Sequence, residues 1–421
     1  MRVLIATDAF PPVCGGSGWS TYEAARGLRE RGHEVCVVQV HAGSPAGHGR
    51  SYDGFRVRTI ERPAPAVPFV RNYFKNERLW VRAAAELRAI AVETHAEILH
   101  AQHLLTSPAA VAAGSGLGVP VVCTVRDYWP VCYWGTLIHD PASPALCPAC
   151  TASMMTRCVR PRAGAAWPLA LPFIPYMRGN LARKQRALAA ASAVVAVSSA
   201  IARDLRERSP ALRAARIEVI PNPVDVAGIR RAAQAAAPPV KGPYAIFVGK
   251  LEQNKGVDYL LPALERARLP WPLVVVGDGR RRGALEAEAR RLNRDARFLG
   301  WLDRPRAMAW LAHASLLVFP SHGPESLSRV LLEAAAIGVP IAAMKTGGTG
   351  DILEHGVSGL LSDTPDELGD HVARLASDRA TAAGLARRAR EDVGARFDTP
   401  CVAARLEALY RDVMEGSTRH A

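Results

Sequence analysis

Two carboxylates near residue 330 offer the richest chemistry in this chain. Glu325 and Glu333 are separated by seven intervening residues in Pro320-Ser321-His322-Gly323-Pro324-Glu325-Ser326-Leu327-Ser328-Arg329-Val330-Leu331-Leu332-Glu333-Ala334. Glu325 follows the apolar run Leu316–Phe319, which has the pattern of a buried strand. An acid in the loop at a strand's carboxyl end can face a ligand. A helix beginning near Ser328 places Glu333 two turns inside. The start of such a helix, at Ser328, Arg329 and Val330, offers free N–H groups and positive potential to a phosphate. Glu333 can accept hydrogen bonds from sugar hydroxyls. Together these groups suit a ligand that carries both a diphosphate and hydroxyls, as a nucleotide-sugar does. A solvated Glu on an amphipathic helix is the plainer reading of a lone pair of this kind.

The flanks favour the ligand. Ala336-Ile337-Gly338-Val339-Pro340-Ile341, Thr346-Gly347-Gly348-Thr349-Gly350-Asp351-Ile352 and Gly356-Val357-Ser358-Gly359-Leu360-Leu361 follow in order. This succession resembles the C-terminal half of the retaining glycosyltransferases of family 4, which have the GT-B fold. The resemblance implies an α/β protein with two Rossmann-like, doubly wound domains facing a cleft. It also implies sugar transfer from a nucleotide-diphosphate sugar to an acceptor hydroxyl, with Glu325 on the donor sugar and Glu333 on the ribose.

Elements that could position these groups recur along the chain. Strand-like runs fall at 3–6, 35–40, 57–60, 98–100, 119–125 and 193–198, and again at 244–248, 273–276, 296–298, 316–319 and 341–343. Helical periodicity fills the intervals, as in 19–31 and 79–93. A β/α series of this kind builds a mostly parallel sheet wrapped by helices. Ile220-Pro-Asn-Pro-Val-Asp225 resembles the end of the family's first domain. The expected division is an N-terminal acceptor-side domain at 1–225, with a Cys-containing insert at about 130–160, and a nucleotide-sugar-binding domain at 226–396. A last helix within 397–421 is expected to cross back onto the first domain.

Four further motifs carry chemistry. Phe10-Pro11-Pro12-Val13-Cys14-Gly15-Gly16-Ser17-Gly18 joins a strand to a helix, and its glycines let the backbone approach a phosphate. It resembles the family's N-terminal glycine loop, which assigns donor binding to Gly15 and Gly16. Val248-Gly249-Lys250-Leu251-Glu252-Gln253-Asn254-Lys255-Gly256 holds two of only six lysines among 53 basic residues. The family's usual Arg is Lys250 here; Lys255 matches directly, and both are assigned to the diphosphate and the leaving nucleotide. Val276-Gly277-Asp278-Gly279 lacks the spacing of a dinucleotide fingerprint, which argues against a dehydrogenase. By resemblance Gly249, Gly277 and Gly279 line the nucleotide pocket, and Phe298 the base. Thr124-Val125-Arg126-Asp127-Tyr128-Trp129-Pro130 resembles a family segment in which His precedes Asp-Tyr-Trp. Here Arg126 stands in its place. Arg cannot serve as a base, yet it can hold a carboxylate, phosphate or hydroxyl. Asp127 orients Arg126 or accepts a hydroxyl proton; a structural Arg–Asp pair is the alternative. The Arg126 departure also keeps open a nucleotide-sugar-binding protein without transfer activity. His103, near His100 at another strand end, is a candidate for substrate contact.

Cys132, Cys147, Cys150 and Cys158 fit a structural zinc site or free thiols in an irregular insert. No Asp-x-Asp pair appears, so no metal is expected at the phosphates and no cofactor is required for transfer. The net charge of +14 is spread over Arg-rich helices without a nucleic-acid motif, so no nucleic acid is expected. It reflects compositional bias or attraction to an anionic lipid or phosphorylated partner. Residues 164–177 hold aromatics and three prolines between arginines, and the prolines argue against a regular helix. Membrane contact, a hydrophobic acceptor pocket and plain core all fit this segment, so the acceptor is a saccharide or a lipid-linked saccharide. No apolar run reaches membrane-spanning length and no signal peptide precedes the first strand. The expected location is cytoplasmic, with peripheral attachment to the inner membrane face left open.

Overall fold

The computed structural model describes residues 1–41, 50–66, 70–140 and 146–418, with the backbone alone at 417–418. Residues 141–145 of the expected insert and 419–421 of the expected last helix lie outside the described residues. Two compact units result. One comprises Met1–Asp140, Cys147–Pro223 and Thr399–Ala421, and the other is built on Val224–Asp398.

The first unit holds β1 (Arg2–Thr7), β2 (Glu34–His41), β3 (Arg50–Tyr52), β4 (Phe55–Glu61), β5 (Ile98–Ala101), β6 (Val121–Val125), β7 (Ala193–Ala196) and β8 (Ile217–Val219). Their order is β3-β4-β2-β1-β5-β6-β7-β8. All neighbours pair in parallel except β3 with β4. The runs read as near-continuous Val, Ile and Ala because both faces are covered, which is what a parallel sheet demands. The chain order changes direction between β1 and β5, which opens a crevice at the carboxyl ends there. Val3, Ile5, Leu28, Val57, Ile98 and Val122 build the core, and Val402, Leu406 and Tyr410 of the helix Thr399–Thr418 join it.

That last helix is locked by side chains as well as by apolar packing. Thr399 and Ala403 press on Gly27 of the helix Gly16–Glu30, where any Cβ would lie within 3 Å of both. Tyr410 Oη meets Nδ1 of the fully buried His100 at 2.5 Å, and His100 Nε2 meets Thr124 Oγ1 at 2.7 Å. Burial, reinforced by Arg126, pushes His100 down to about 3, so the ring is neutral.

The second unit holds β9 (Ala245–Val248), β10 (Leu273–Val276), β11 (Ala296–Gly300), β12 (Leu316–Phe319), β13 (Ile341–Met344) and β14 (Leu360–Ser362). Its order is β11-β10-β9-β12-β13-β14, all parallel. Here the direction changes between β9 and β12. The sequence pattern omitted β3, β8 and β14, each of only three residues and too short to show a period.

The segment 164–177 forms no single regular helix and is helical in pieces. Gly164–Ala166 and Leu171–Phe173 are 3-10 turns, Trp167–Ala170 is one α-turn, and Ile174–Ala189 is a full helix. Pro168, Pro172 and Pro175 each fall in the first turn of a new piece, where the missing N–H has no helical partner to lose. Met155, Val159, Ala170, Ile174, Met177 and Leu181 make a satellite core beneath. On the outer side Leu169 is 78% exposed and Phe173 36% exposed. Arg157, Arg160 and Arg178 are exposed in the same stretch.

Candidate functional site

In the second unit, the loops after β9, β10, β12 and β13 are tied into one body. Gly249 N–H donates to Val276 O at 3.0 Å and Leu251 N–H to Asp278 O at 2.9 Å. Gly323 N–H donates to Asn254 O at 2.9 Å, and Gly348 N–H to Glu325 O at 2.8 Å. The contacts are too close for side chains. Gly256 has φ +64°, and a Cβ there would sit 1.8 Å from Pro320 O. Gly347 has φ +50°, and a Cβ there would sit 1.9 Å from Glu325 O. Such positions accept only glycine without rearrangement.

This body fixes Glu325. The residue is 8% exposed. Its Oε1 accepts from Lys255 Nζ at 2.5 Å and from Ser321 Oγ at 2.6 Å. A buried carboxylate is stable only when so paired. Glu333 lies one turn into the helix Arg329–Ile337, rather than two, and is 9% exposed. Its Oε1 accepts from Arg304 Nη1 at 2.6 Å and from Arg329 Nε at 3.0 Å. Ser328 is the N-cap, and no side chain caps the helix start. The geometry therefore brings Lys255 and Glu325 onto adjoining loops beside the helix that carries Arg329, Val330 and Glu333 and has Ser328 at its N-cap. Lys250 follows β9 and is exposed. Phe298 lies on β11, partly buried against the unit's core. Ser321 and Arg304, which hold the two carboxylates, escaped the sequence reading. Ser321 stood inside the quoted block, but Arg304 came from a helix with no motif of its own.

In the first unit, Gly15 is the N-cap of the helix Gly16–Glu30, and a Cβ at Gly15 would meet nothing within 4 Å. No crowding within the unit therefore requires glycine at this position. Arg126 is only 8% exposed, and its guanidinium is engaged inside the unit. It donates to Asn222 Oδ1 at 2.8 Å, Thr21 Oγ1 at 3.0 Å and Gln102 O at 2.5 Å, and also to Gln102 Oε1. It braces β6 to the Pro-Asn-Pro segment and does not pair with Asp127.

Asp127 pairs with His103 instead, through Oδ2 and Nε2 at 3.2 Å. Its Oδ1 accepts Trp129 N–H at 2.8 Å. His103 Nδ1 accepts Leu105 N–H at 3.2 Å and lies 3.7 Å from Asp8 Oδ2. Burial works against a charged ring there, but Asp8 and Asp127 outweigh it and hold His103 above its ordinary value. Asp8, which escaped the sequence reading, closes the first strand and carried no motif signal.

The four cysteines of the expected zinc site come together. Cys132, Cys147, Cys150 and Cys158 line one small cavity. Yet among the described residues no group of three or more His, Cys, Asp or Glu is placed to hold a metal ion. The four thiols act on one another electrostatically, and each also has partners of its own. Cys132 and Cys150 hydrogen-bond each other, and backbone N–H groups of Leu137, Trp134 and Thr136 also point at Cys132. Cys147 donates to Ala149 O at 3.2 Å. Cys158 meets Ile138 O at 3.8 Å and the Arg162 guanidinium at 3.3 Å. No disulfide forms among them.

Two doubly wound, parallel-sheet units in one chain define the GT-B class. The model of Glycosyltransferase Family 4 matches residues 14–227, and that of Glycosyl transferases group 1 matches residues 242–378. The chain belongs to glycosyltransferase family 4, and it is a glycosyltransferase. It is 27% identical over 447 residues to a glycogen synthase of Mycobacterium tuberculosis, covering 99% of this chain and 96% of that protein. Its fold is similar to sucrose-phosphate synthase of Thermosynechococcus elongatus, with TM-score 0.70, 18% identity and coverage of 99% of this chain and 100% of that one. It is also similar to Anabaena Alr3699/HepE in complex with UDP-glucose, with TM-score 0.65, 20% identity and coverage of 98% and 100%.

Proposed function

We propose that this enzyme transfers a sugar from a nucleotide-diphosphate sugar to an acceptor hydroxyl with retention of anomeric configuration. The observation that carries the reading is the Glu325–Lys255–Ser321 cluster, held by glycine contacts beside an uncapped helix start. Lys255, Lys250 and the N–H groups at Ser328, Arg329 and Val330 hold the diphosphate. Glu325 accepts hydroxyls of the donor sugar, and Glu333, set by Arg304 and Arg329, accepts those of the ribose. Gly249, Gly277, Gly279 and Phe298 line the nucleotide, and Gly15 and Gly16 are assigned to donor binding. In the reaction the bond from the anomeric carbon to the phosphate oxygen breaks, and its electron pair leaves with the nucleotide. The acceptor oxygen bonds the same face of that carbon, and its proton passes to the departing phosphate. Lys255 and the helix start stabilise the charge that develops there. Relatives are named for glycogen synthesis and for a bound UDP-sugar, which supports a saccharide product and a donor of this class.

Incubation with UDP-glucose and with ADP-glucose, without acceptor, tests this reading. One of them is expected to raise the melting temperature and to release nucleotide slowly. Binding without release would instead support a nucleotide-sugar-binding protein that does not transfer. No shift and no release with either would remove the donor assignment.

A second reading concerns where the acceptor is held. Exposed Leu169 and Phe173 lie among exposed Arg157, Arg160 and Arg178, a composition suited to an anionic membrane surface. No helix among the described residues is long and apolar enough to cross a membrane. A lipid-linked saccharide docked through this face is the acceptor in that case.

A further inference from the structure

The amino ends of the second unit's strands open onto a cavity of about 590 Å³. Pro243 precedes β9, Trp271 precedes β10, Ser315 precedes β12 and Pro340 precedes β13, and all four line it. The loops assigned to the donor follow the carboxyl ends of these same strands, so the cavity lies at the opposite end of the sheet.

One stripe of the helix Arg379–Arg396 forms a wall of this cavity. Arg379, Ala382, Ala383, Ala386, Arg387 and Arg390 line it, and they fall at i, i+3, i+4, i+7, i+8 and i+11. The alanines leave the space open, because a methyl group fills little of it. The arginines bring charge to it. All three are exposed, and among the described residues no hydrogen bond or ion pair engages their guanidinium groups.

The surroundings leave that charge unbalanced. Among the described residues no acid lines the cavity. Asp378 accepts from Thr381 N–H at 2.9 Å and from Thr381 Oγ1 at 2.6 Å. Asp392 pairs with Arg388 at 3.1 Å, and Asp370 with Arg266 at 2.8 Å. Glu391 lines an adjoining hollow with Arg230, Arg387 and Arg390, one acid against three guanidinium groups. Arg230 donates to Ala336 O at 3.0 Å and to Arg390 O at 2.8 Å. It thereby offsets the negative carboxyl end of the helix Arg329–Ile337, whose Ile337 lines the cavity.

This balance indicates the ligand. One acid against three cations leaves two positive charges in excess, and a phosphate monoester carries about two negative ones. Arg387 and Arg390 stand one helical turn apart, so both planar forks can grip one phosphate. A carboxylate would bring only one charge. The remaining lining is uncharged. Trp271, Ile337, Pro340 and Leu375 offer an apolar bed to the organic part of an ester, and Ser315 offers a hydroxyl. The volume suits a small molecule, whose sites span roughly 300–1,000 Å³.

We propose that this cavity is a second ligand site, separate from the donor loops, and that it binds a phosphate monoester with a small organic body. Arg387 and Arg390 take the phosphate, and the alanine-lined hollow takes the body.

Calorimetry on the full chain, with and without saturating UDP, provides the test. The probes are glucose 6-phosphate, AMP and inorganic phosphate, with glucose and adenosine as neutral counterparts. At least one organic monoester is expected to bind at least about tenfold more tightly than its neutral counterpart, and to do so with UDP present. The double variant R387A/R390A should weaken it about tenfold or more, the scale of a charged hydrogen bond. R387K/R390K keeps the charge without the forks and should recover part of the affinity. A383F fills the hollow and leaves every charge in place; it should weaken the organic monoester and spare inorganic phosphate. Flotation with vesicles carrying phosphatidic acid, against phosphatidylglycerol vesicles of equal charge, separates the two sources of such a group. Soluble monoester binding identifies a free metabolite. Retention on phosphatidic acid alone, lost in R387A/R390A, identifies a lipid headgroup. Equal affinity for the neutral counterparts, loss of binding under UDP, or unchanged binding in folded R387A/R390A would each overturn the proposal, as would the absence of binding in both assays.

Discussion

The charged clusters of the two units differ in how completely they are satisfied. In the second unit each carboxylate already has its cations, Glu325 with Lys255 and Glu333 with Arg304 and Arg329. The loops carrying them are locked by glycines that admit no side chain. In the first unit, Asp8 Oδ1 keeps unused capacity beside a fixed His103–Asp127 pair. A cluster that is closed in the absence of ligand suits a donor whose phosphates and hydroxyls exchange with existing partners. A cluster with open valences suits a smaller guest that supplies what is missing. Rigidity is common to both, since preorganised groups lose little on binding.

The sharpest way to break this comparison is at the closed cluster. Glu325→Ala and Lys255→Ala should each lower turnover about 10²-fold or more, the scale of a lost transition-state contact. Steady-state rates on folded protein, checked by circular dichroism, provide the measurement, and near-normal rates in either variant would detach the cluster from the reaction.

Gly347→Ala probes the lock itself. Its Cβ would collide with Glu325 O, and φ +50° is strained for alanine. The substitution should destabilise the second unit by about 1–3 kcal/mol, and turnover should fall while Lys255 and Glu325 are both still present. Urea titration with parallel rate measurements would show both effects; an unchanged rate would mean that the lock does not position Glu325.

A third test concerns what holds the first unit's sheet. His100 is neutral when folded, with a value depressed to about 3 against an ordinary 6.5. Its contribution is therefore complete above about pH 6.5 and is lost as pH falls from there towards 3. Within that window it removes about 1.4 kcal/mol of stability per pH unit. Unfolding free energies at pH 7 and pH 5 should differ by about 2 kcal/mol from this residue alone. A flatter slope in His100→Asn would identify the source. Tyr410→Phe leaves His100 Nδ1 short of one partner and should cost about 1–3 kcal/mol at pH 7.

The smallest effect on the fold is expected at the exposed lobe. Leu169→Ser and Phe173→Ser should shift stability within about 0.5 kcal/mol, as surface changes do. Flotation with anionic vesicles should nonetheless lose its salt-resistant part in the double variant. Wild-type protein that stays off anionic vesicles at low salt would end the membrane reading.

The amino-acid sequence by itself determined the element types and the donor-side blocks. Long apolar runs such as Leu273–Val276 and Leu316–Phe319 announce buried parallel strands, because both faces must be covered. Glu325, Lys255 and Glu333 were legible because they stand inside ordered motifs along one stretch of chain. Tertiary structure alone decided the partners. Arg126 looked like a ligand group beside Asp127, yet a bond to Asn222, 96 residues away, and contacts with Gln102 and Thr21 turn it inward. Asp8, His103, Asp127 and Lys184 are brought together by strand order and one helix, and no local spacing encodes that. The four cysteines sat close in sequence, and the fold gathers them around one small cavity while giving each its own further partners. Periodicity reports burial along one element, whereas a hydrogen bond depends on where a distant element places its donor.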